Sequence, residues 1–186
     1  MWYIKKLHYD SHAYVHNLFT TEECKSIIEM GLKNLSPAQL ANKTIQPDIR
    51  KSDVCFIQPD NENEWIFQRI TDGVLVINKE IFNFDLEVFP VLQFTRYVSP
   101  DGKYDKHTDI GGTYARRKLS ITVQLSESDV YEGGELLLWT NRFSTKTLKN
   151  LGTMIAFPSY VLHEVTPVTK GTRYSLVAWV EGPQFR

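Results

Sequence analysis

Hydrophobic residues recur at two different periods along this chain, helical in the first half and alternating in the second. A capping-box pattern at residues 20–23 precedes apolar residues at helical spacing: Cys24, Ile27, Ile28, Leu32 and Leu35. A second helix is predicted to begin near Asn61 or Asn63, with an apolar stripe of Trp65, Ile66, Ile70, Val74, Ile77 and Ile81. Gly73 destabilises that helix by about 1 kcal/mol relative to alanine and marks a point where it could break.

From Leu86 onward the period changes to two, which indicates β-strands. Alternating residues predict strands over residues 91–98 and 119–125, and further strands are expected at 135–139, 153–157 and 172–180. A short strand is also expected within residues 51–57. In the 119–125 strand, apolar residues alternate with Ser120, Thr122 and Gln124, so one face should be buried and the other polar. Many short strands separated by turns favour a sandwich or barrel, and the polar face suggests that its mouth holds a ligand.

Composition and charge narrow the class of protein. The chain has 186 residues and a net charge of −1 at pH 7, which suits one domain and does not favour binding to nucleic acid. We expect no membrane segment, because no apolar run approaches the roughly 18–20 residues that span a bilayer. The first residues lack the apolar core of a secretory signal. Cys24 and Cys55 are interpreted as reduced thiols. Reduced thiols, with no secretory signal and no membrane segment, predict a cytoplasmic protein.

The candidate chemistry lies in His107, Asp109, His163 and Arg173. Two imidazoles and one carboxylate are the ligand set of the facial triad of non-haem Fe(II) oxygenases, which leaves coordination positions open. His107 and Asp109 project to the same side of an extended segment, although such a pair also occurs by chance in surface turns. Arg173 and Ser175 share one face of the last strand and could bind one carboxylate together. The alternative for Arg173 is an ordinary surface ion pair.

Four stretches, residues 96–97, 102–109, 131–136 and 162–173, carry a resemblance to a known family. Residues 88–180 resemble the Fe(II)/2-oxoglutarate-dependent dioxygenases, in the prolyl-4-hydroxylase-like branch and closest to the bacterial PKHD-type hydroxylases. The resemblance implies a mainly β fold with flanking helices (α+β), a double-stranded β-helix (jelly roll, cupin-like). Residues 1–186 would form a single domain, with helical N-terminal support over about 1–85 and the catalytic core over about 86–182.

The resemblance also implies roles for individual residues. His107, Asp109 and His163 would ligate iron, and Arg173 would bind the distal carboxylate of 2-oxoglutarate. Tyr97 matches a tyrosine that contacts this co-substrate, and Tyr104 matches an aromatic residue that lines the pocket. Some relatives carry a tyrosine where Gln124 stands, but Gln124 lies on the polar face of its strand, which fits a pocket role. The polar residues expected to bind the co-substrate are therefore Arg173, Tyr97, Ser175, Gln124 and Tyr104.

The activity implied is hydroxylation of an unactivated C–H with Fe(2+), 2-oxoglutarate and O2, releasing succinate and CO2. Ascorbate is a candidate additional ligand. The leading substrate is a prolyl residue of a peptide or protein, recognised by the first half of the chain and by Arg50, Tyr104 and residues 111–116. The alternatives are a small metabolite or another amino-acid side chain, and a non-catalytic metal-binding barrel. No nucleic-acid or membrane partner is expected, and no oligomeric state is predicted.

Three other signals favour ordinary structural roles. His8, His12 and His16 recur every four residues, and an edge-strand row is preferred over a metal site. His163-Glu164 does not extend to a HExxH zinc motif, because Pro167 occupies the position of the second histidine. The basic run 116–118 is a weak candidate for a nucleic-acid patch, and Arg117 within it is expected to face solvent.

Overall fold

The computed structural model describes residues 10–40 and 43–185. These residues include the α-helices α1 (Thr21–Leu32) and α2 (Glu64–Ile77), and α2 runs into a π-helical turn at Asn78–Phe82. A 3-10 turn lies at Gly112–Tyr114. The strands are β1 (Ala13–Val15), β2 (Ser36–Pro37), β3 (Arg50–Lys51), β4 (Asp53–Ile57), β5 (Leu92–Val98), β6 (Gly102–His107), β7 (Arg117–Gln124), β8 (Tyr131–Gly133), β9 (Leu136–Trp139), β10 (Ser144–Lys146), β11 (Met154–Pro158) and β12 (Leu162–Glu181).

The strands form a major and a minor antiparallel sheet that share the long strand β12. The major sheet has the order β1-β11-β7-β12-β5-β4-β2. In the minor sheet, the first half of β12 pairs with β6, β8 and β9, while β3 extends β6 and β10 extends β9. The prediction of a mainly β protein with flanking helices is therefore confirmed. Because β12 crosses between sheets, its start and its middle face the same interior.

Both predicted helices are present, and local sequence explains their starts. Thr20 and Glu23 form the predicted capping box, in which each side chain accepts a hydrogen bond from the other's backbone amide. Helix α2 continues through Gly73 without a break. A Cβ at Gly73 would lie 2.9 Å from the Met154 Cε, so glycine allows close packing of α2 on the major sheet. This packing offsets the low helix propensity of glycine.

Two apolar cores result, one on each side of the major sheet. The larger core packs the helices against residues such as Leu119, Ile121 and Val123 of β7. The smaller core lies between the sheets and includes Tyr97 and Phe157. The alternation predicted for β7 is confirmed, but its polar face is buried too, because it faces the interior between the two sheets. Polar side chains in that position have little access to bulk water and must find partners or a ligand.

The first half of the chain also contributes strands to both sheets. Strand β4 lies beside β5, which confirms the strand predicted within residues 51–57, and β1 and β3 pair with β11 and β6. These pairings join residues distant in sequence, so described residues before 86 contribute strands as well as the two helices. His12 and His16 flank the edge strand β1, whereas His8 lies outside the described residues. Cys24 and Cys55 are buried free thiols.

No helix within residues 10–40 and 43–185 combines the length and the hydropathy needed to cross a membrane.

Candidate metal and co-substrate site

The structure brings His107, Asp109 and His163 together between the two sheets. His107 ends β6 and is the direct register partner of His163 near the start of β12. The backbone amide of Asp109 donates to the Ser159 carbonyl at 3.0 Å, which holds the segment after β6 against the end of β11. One ligand atom from each of the three side chains lies within 4.8 Å of the other two. Side chains separated by up to 56 positions thus converge on one point.

Both imidazoles are oriented by backbone carbonyl groups. His107 Nδ1 lies 2.7 Å from the Asp105 carbonyl oxygen, and His163 Nδ1 lies 2.9 Å from that of Val161. Because a carbonyl oxygen only accepts hydrogen bonds, each Nδ1 must carry the proton. The lone pair of each Nε2 then faces Asp109, at 3.8 Å from Oδ1 for His107 and 3.4 Å from Oδ2 for His163. This tautomer is the one that ligates metal through Nε2.

The charge states of these groups also suit a metal. Burial lowers the pKa of His107, and the nearby His163 lowers it further, so the neutral imidazole is favoured. Burial by itself raises the pKa of Asp109, but His163, His107 and the hydrogen bond from Ser120 together hold it below its ordinary value. A neutral imidazole and an ionised carboxylate are the forms that bind divalent cations.

The donor set fits a ferrous ion better than a closed structural zinc site. The three groups are two imidazole nitrogens and one carboxylate oxygen, without a cysteine thiolate. A structural zinc site has four protein ligands, whereas the 2-His-1-carboxylate set leaves positions for exogenous ligands. Among the histidine, cysteine, aspartate and glutamate side chains of the described residues, these three have ligand atoms that lie close enough together to hold one metal ion.

Arg173 is fully buried in the same interior, on the central strand of the major sheet. It is 1% exposed, its Nη2 donates to the Gln124 Oε1 at 3.0 Å, and its Nη1 lies 3.4 Å from the Ser175 Oγ. Its Nε has no hydrogen-bond partner among the described residues. The residues that the structure describes therefore give this cation only neutral partners. A buried guanidinium without an anion is costly, so the site is suited to an incoming carboxylate.

The predicted co-substrate residues surround this guanidinium or the cavity beside it. Tyr97 is the register partner of Arg173, and its ring centroid lies 5.3 Å from the guanidinium carbon. The Tyr104 ring stacks on His107 with centroids 3.6 Å apart. Tyr97, Tyr104, Arg173 and Ser175 line the same cavity as the three candidate ligands, with a volume of about 580 Å³. Gln124 instead lies behind Arg173, where its amide nitrogen donates to the Leu148 carbonyl.

Sequence reasoning assigned no role to Tyr131, although this residue belongs to one of the resembling stretches. Its side chain is 3% exposed and lies beside Arg173. Burial raises the pKa of Tyr131, which keeps the phenol protonated, and the charge of Arg173 opposes this effect. Lys149 lies over the ring at 3.9 Å from its centroid. The tyrosine thus separates two cations, and no spacing in the sequence indicates that contact.

The prediction that Arg117 faces solvent is wrong. Its guanidinium carbon lies 3.9 Å from the Tyr114 ring centroid and 4.1 Å from that of Trp179. Its Nη1 donates to the Asp109 carbonyl at 3.3 Å, and Arg117 lines the cavity. The sequence did not indicate these contacts, because Trp179 is distant in the chain and Tyr114 lies in an irregular loop. The structure shows that Arg117 belongs to the site.

Ser120 is a further site residue to which the sequence analysis gave no role, although alternation placed it on the polar face of β7. Its hydroxyl donates to the Asp109 Oδ2 at 2.6 Å and lies 3.0 Å from the Ser159 hydroxyl.

We expect Ser120→Ala to weaken Fe(II) binding by roughly 10- to 100-fold, the usual effect of losing an outer partner of a metal ligand. Metal titration measures this directly. Ser126→Ala is the matched control, because Ser126 is also buried but bonds the Tyr174 amide. Equal affinities in both variants would contradict the role of Ser120.

Comparisons with known proteins agree with this geometry. The family model described as the 2OG-Fe(II) oxygenase superfamily matches residues 92–181. A PKHD-type hydroxylase from Alteromonas mediterranea is 39% identical over 101 residues, covering 50% of this chain and 44% of the relative. A PKHD-type hydroxylase from Crocosphaera subtropica is 38% identical over 116 residues, covering 57% of this chain and 52% of the relative. The chain thus spans about half the length of these curated relatives.

Solved structures extend the likeness over nearly the whole chain. A Pseudomonas putida prolyl-4-hydroxylase superposes with a TM-score of 0.75 at 21% identity, covering 93% of both chains. A Trichoplax adhaerens prolyl hydroxylase, solved with a peptide fragment of the hypoxia inducible factor oxygen degradation domain, superposes with a TM-score of 0.77 at 17% identity. That match covers 92% of this chain and 84% of the other. At these identities the likeness concerns the fold, and it confirms the expected jelly roll.

Proposed function

We propose that this chain, whose residues 92–181 match the model of the 2OG-Fe(II) oxygenase superfamily, hydroxylates an unactivated C–H of a prolyl residue in a peptide or protein. His107, Asp109 and His163 would hold Fe(II), and Arg173 would bind the distal carboxylate of 2-oxoglutarate. The observation that carries this proposal is the pairing of an open three-ligand set with a buried guanidinium that lacks an anionic partner in the described structure.

The iron would supply the oxidation that couples conversion of 2-oxoglutarate and O2 into succinate and CO2 with hydroxylation of the substrate. The protein supplies orientation and a low-dielectric surrounding for this chemistry. The backbone carbonyls of Asp105 and Val161 hold both imidazoles in the ligating tautomer. Arg173, with Ser175 beside it, would hold the far carboxylate of the co-substrate.

Apolar side chains exclude water from the centre of the cavity. Leu136, Phe157 and Val165 line it together with Tyr97, and all four are buried. Desolvation strengthens the interaction between Arg173 and a carboxylate, because water no longer competes for the guanidinium. The same walls would keep the oxidising centre away from bulk solvent when substrate closes the mouth.

The shape of the cavity and one structural neighbour support a peptide as the substrate. Beyond the triad the cavity continues to Phe56 and Ile45, which are each 56% exposed although they are large and apolar. A surface of this kind can contact chain residues on either side of a hydroxylated one. The Trichoplax adhaerens neighbour was solved with a peptide fragment, which makes the same use of this fold here a natural proposal.

The test is aerobic incubation with Fe(II), 2-oxoglutarate and short synthetic peptides that each contain one proline. We expect succinate to form only with Fe(II), and a peptide mass increase of about 16 Da, the mass of one oxygen atom delivered by this chemistry. Chelation of the metal should stop both. Absence of succinate in a sample that has bound Fe(II) would favour a non-catalytic metal-binding barrel. Succinate with hydroxylation of a free metabolite alone would replace the peptide as the substrate.

A further inference from the structure

Three guanidinium groups line the cavity, and the proposed co-substrate accounts for only one of them. Arg173 is the one assigned to 2-oxoglutarate, and Arg50 and Arg117 remain. Arg50 is 9% exposed. Its Nε donates to the Ser52 Oγ at 3.2 Å, and its Nη1 lies 3.4 Å from the Gln39 carbonyl oxygen. Among residues 10–40 and 43–185 no carboxylate forms an ion pair with it, so a largely buried cation is held by neutral groups.

The position of Arg50 places this charge close to the candidate metal. Strand β3 pairs with β6, and Arg50 is the register partner of Tyr104. The guanidinium carbon lies 4.5 Å from the Tyr104 ring centroid, and that ring stacks on His107 at 3.6 Å. The Tyr104 ring therefore lies between Arg50 and His107, a candidate metal ligand. It lies on the β3–β6 side of the cavity, whereas Arg173 lies on β12.

The other charges around the cavity leave Arg50 as the unbalanced one. Among the cavity-lining residues that the structure describes, the carboxylates are Asp109, which faces the imidazoles, and Glu181. Glu181 interacts electrostatically with Arg117, and Arg117 is also held between two aromatic rings. Lys43 adds a further positive charge to the lining. The β3 side of the cavity is thus cationic, and none of the described lining residues on that side is a carboxylate.

We propose that Arg50 binds the side-chain carboxylate of an acidic residue next to the hydroxylated residue, so that the substrate is an acidic peptide. This inference rests on the proposed function. An ionised carboxylate would accept hydrogen bonds from the guanidinium, and such charge-assisted bonds are shorter and stronger than neutral ones. The Tyr104 ring packs against the guanidinium and limits the movement of Arg50. The planar guanidinium can then bind a carboxylate in a defined orientation. The cationic wall would also disfavour peptides with lysine or arginine at that position.

The experiment compares matched peptides as substrates of the wild-type protein and of its Arg50→Gln variant. Each peptide has one proline, with either glutamate or glutamine directly before or directly after it, and product is measured by mass spectrometry. We expect the wild-type protein to prefer one of the glutamate peptides over its glutamine match by about 10- to 100-fold in kcat/KM. In Arg50→Gln this preference should fall to within about twofold. Arg96→Gln is the control, because Arg96 pairs with Asp53 in a half-exposed bridge, and it should keep the preference.

Further measurements keep this test separate from the test of the proposed function. Fe(II)-dependent succinate formation in the presence of the peptide panel reports the oxygenase, so its absence in the wild-type protein overturns the proposed function. Succinate formation with equal use of glutamate and glutamine peptides overturns only the role of Arg50. Hydroxylation of free proline but of no peptide in the panel also overturns the inference. If Arg50→Gln does not fold, Arg50→Lys takes its place, and it should retain part of the glutamate preference because it keeps the charge.

Discussion

Replacement of Asp109 by alanine is expected to abolish Fe(II)-dependent succinate formation, with a loss of at least about 100-fold in metal affinity. The size follows from a comparison: loss of an outer partner of a metal ligand already weakens binding by roughly 10- to 100-fold, and Asp109 would contact the metal itself. Among the described residues it is also the carboxylate that faces the two imidazoles, with its Oδ2 3.4 Å from the His163 Nε2. Without it, two neutral nitrogens remain, which bind a ferrous ion weakly.

The matched control is Asp105→Ala, four positions earlier, within β6. Asp105 pairs with Lys103 at 2.9 Å, and its side chain is 49% exposed, so its removal should leave turnover unchanged. Metal titration and succinate release are measured on both variants, and thermal unfolding confirms that each is folded. Substantial Fe(II)-dependent turnover in Asp109→Ala would remove Asp109 from the proposed ligand set.

Replacement of Arg173 by methionine is expected to raise the KM for 2-oxoglutarate by at least about 30-fold, with a smaller effect on turnover at saturation. Truncating one member of a buried hydrogen-bonded charge pair costs about 2–5 kcal/mol, and tenfold in affinity corresponds to about 1.4 kcal/mol. Methionine keeps much of the buried stem, which limits the cavity that alanine would leave. The free protein should not lose stability from the lost charge, because its guanidinium is buried among neutral partners.

Arg96→Met provides the comparison for this variant. Arg96 is the register neighbour of Tyr174 on β5, next to Tyr97, but its guanidinium bonds Asp53 at the edge of the fold instead of facing the cavity. Initial rates across a range of 2-oxoglutarate concentrations separate KM from turnover in both proteins. An unchanged KM in Arg173→Met would mean that another group binds the distal carboxylate.

Residue chemistry and spacing made the candidate site visible, but not its supporting contacts. His107, Asp109, His163 and Arg173 could be singled out because their types together match one known chemistry. Ser120 could be placed on the polar face of its strand by alternation alone. Its hydrogen bond to Asp109 could not be predicted, because the end of β6 reaches β7 through the pairing of β12 with both strands and through the bond of the Asp109 amide to Ser159 beside β11.

Arg117 shows the opposite case, in which a local pattern indicated the wrong environment. A run of basic residues usually marks a solvated surface, and that interpretation placed Arg117 in water. In the folded protein Trp179, from the end of β12, covers the guanidinium on one side, and Tyr114 covers it on the other. A guanidinium on an aromatic face tolerates such burial because it is weakly hydrated and stacks well.

The amino-acid sequence by itself determined the features that depend on neighbours in the chain: the capped start of α1, the alternation along β7, and the set of side chains able to bind a metal and a carboxylate. Tertiary structure alone decided which of these groups meet. The register of β12 against β5, β6 and β7 sets Arg173 opposite Tyr97 and His163 opposite His107. The fold also places Arg50 on β3 with the neutral partners Ser52 and Gln39. The physical reason is that strand pairing and burial are long-range, so the partners of a side chain, and hence its charge and function, appear only when the sheets close.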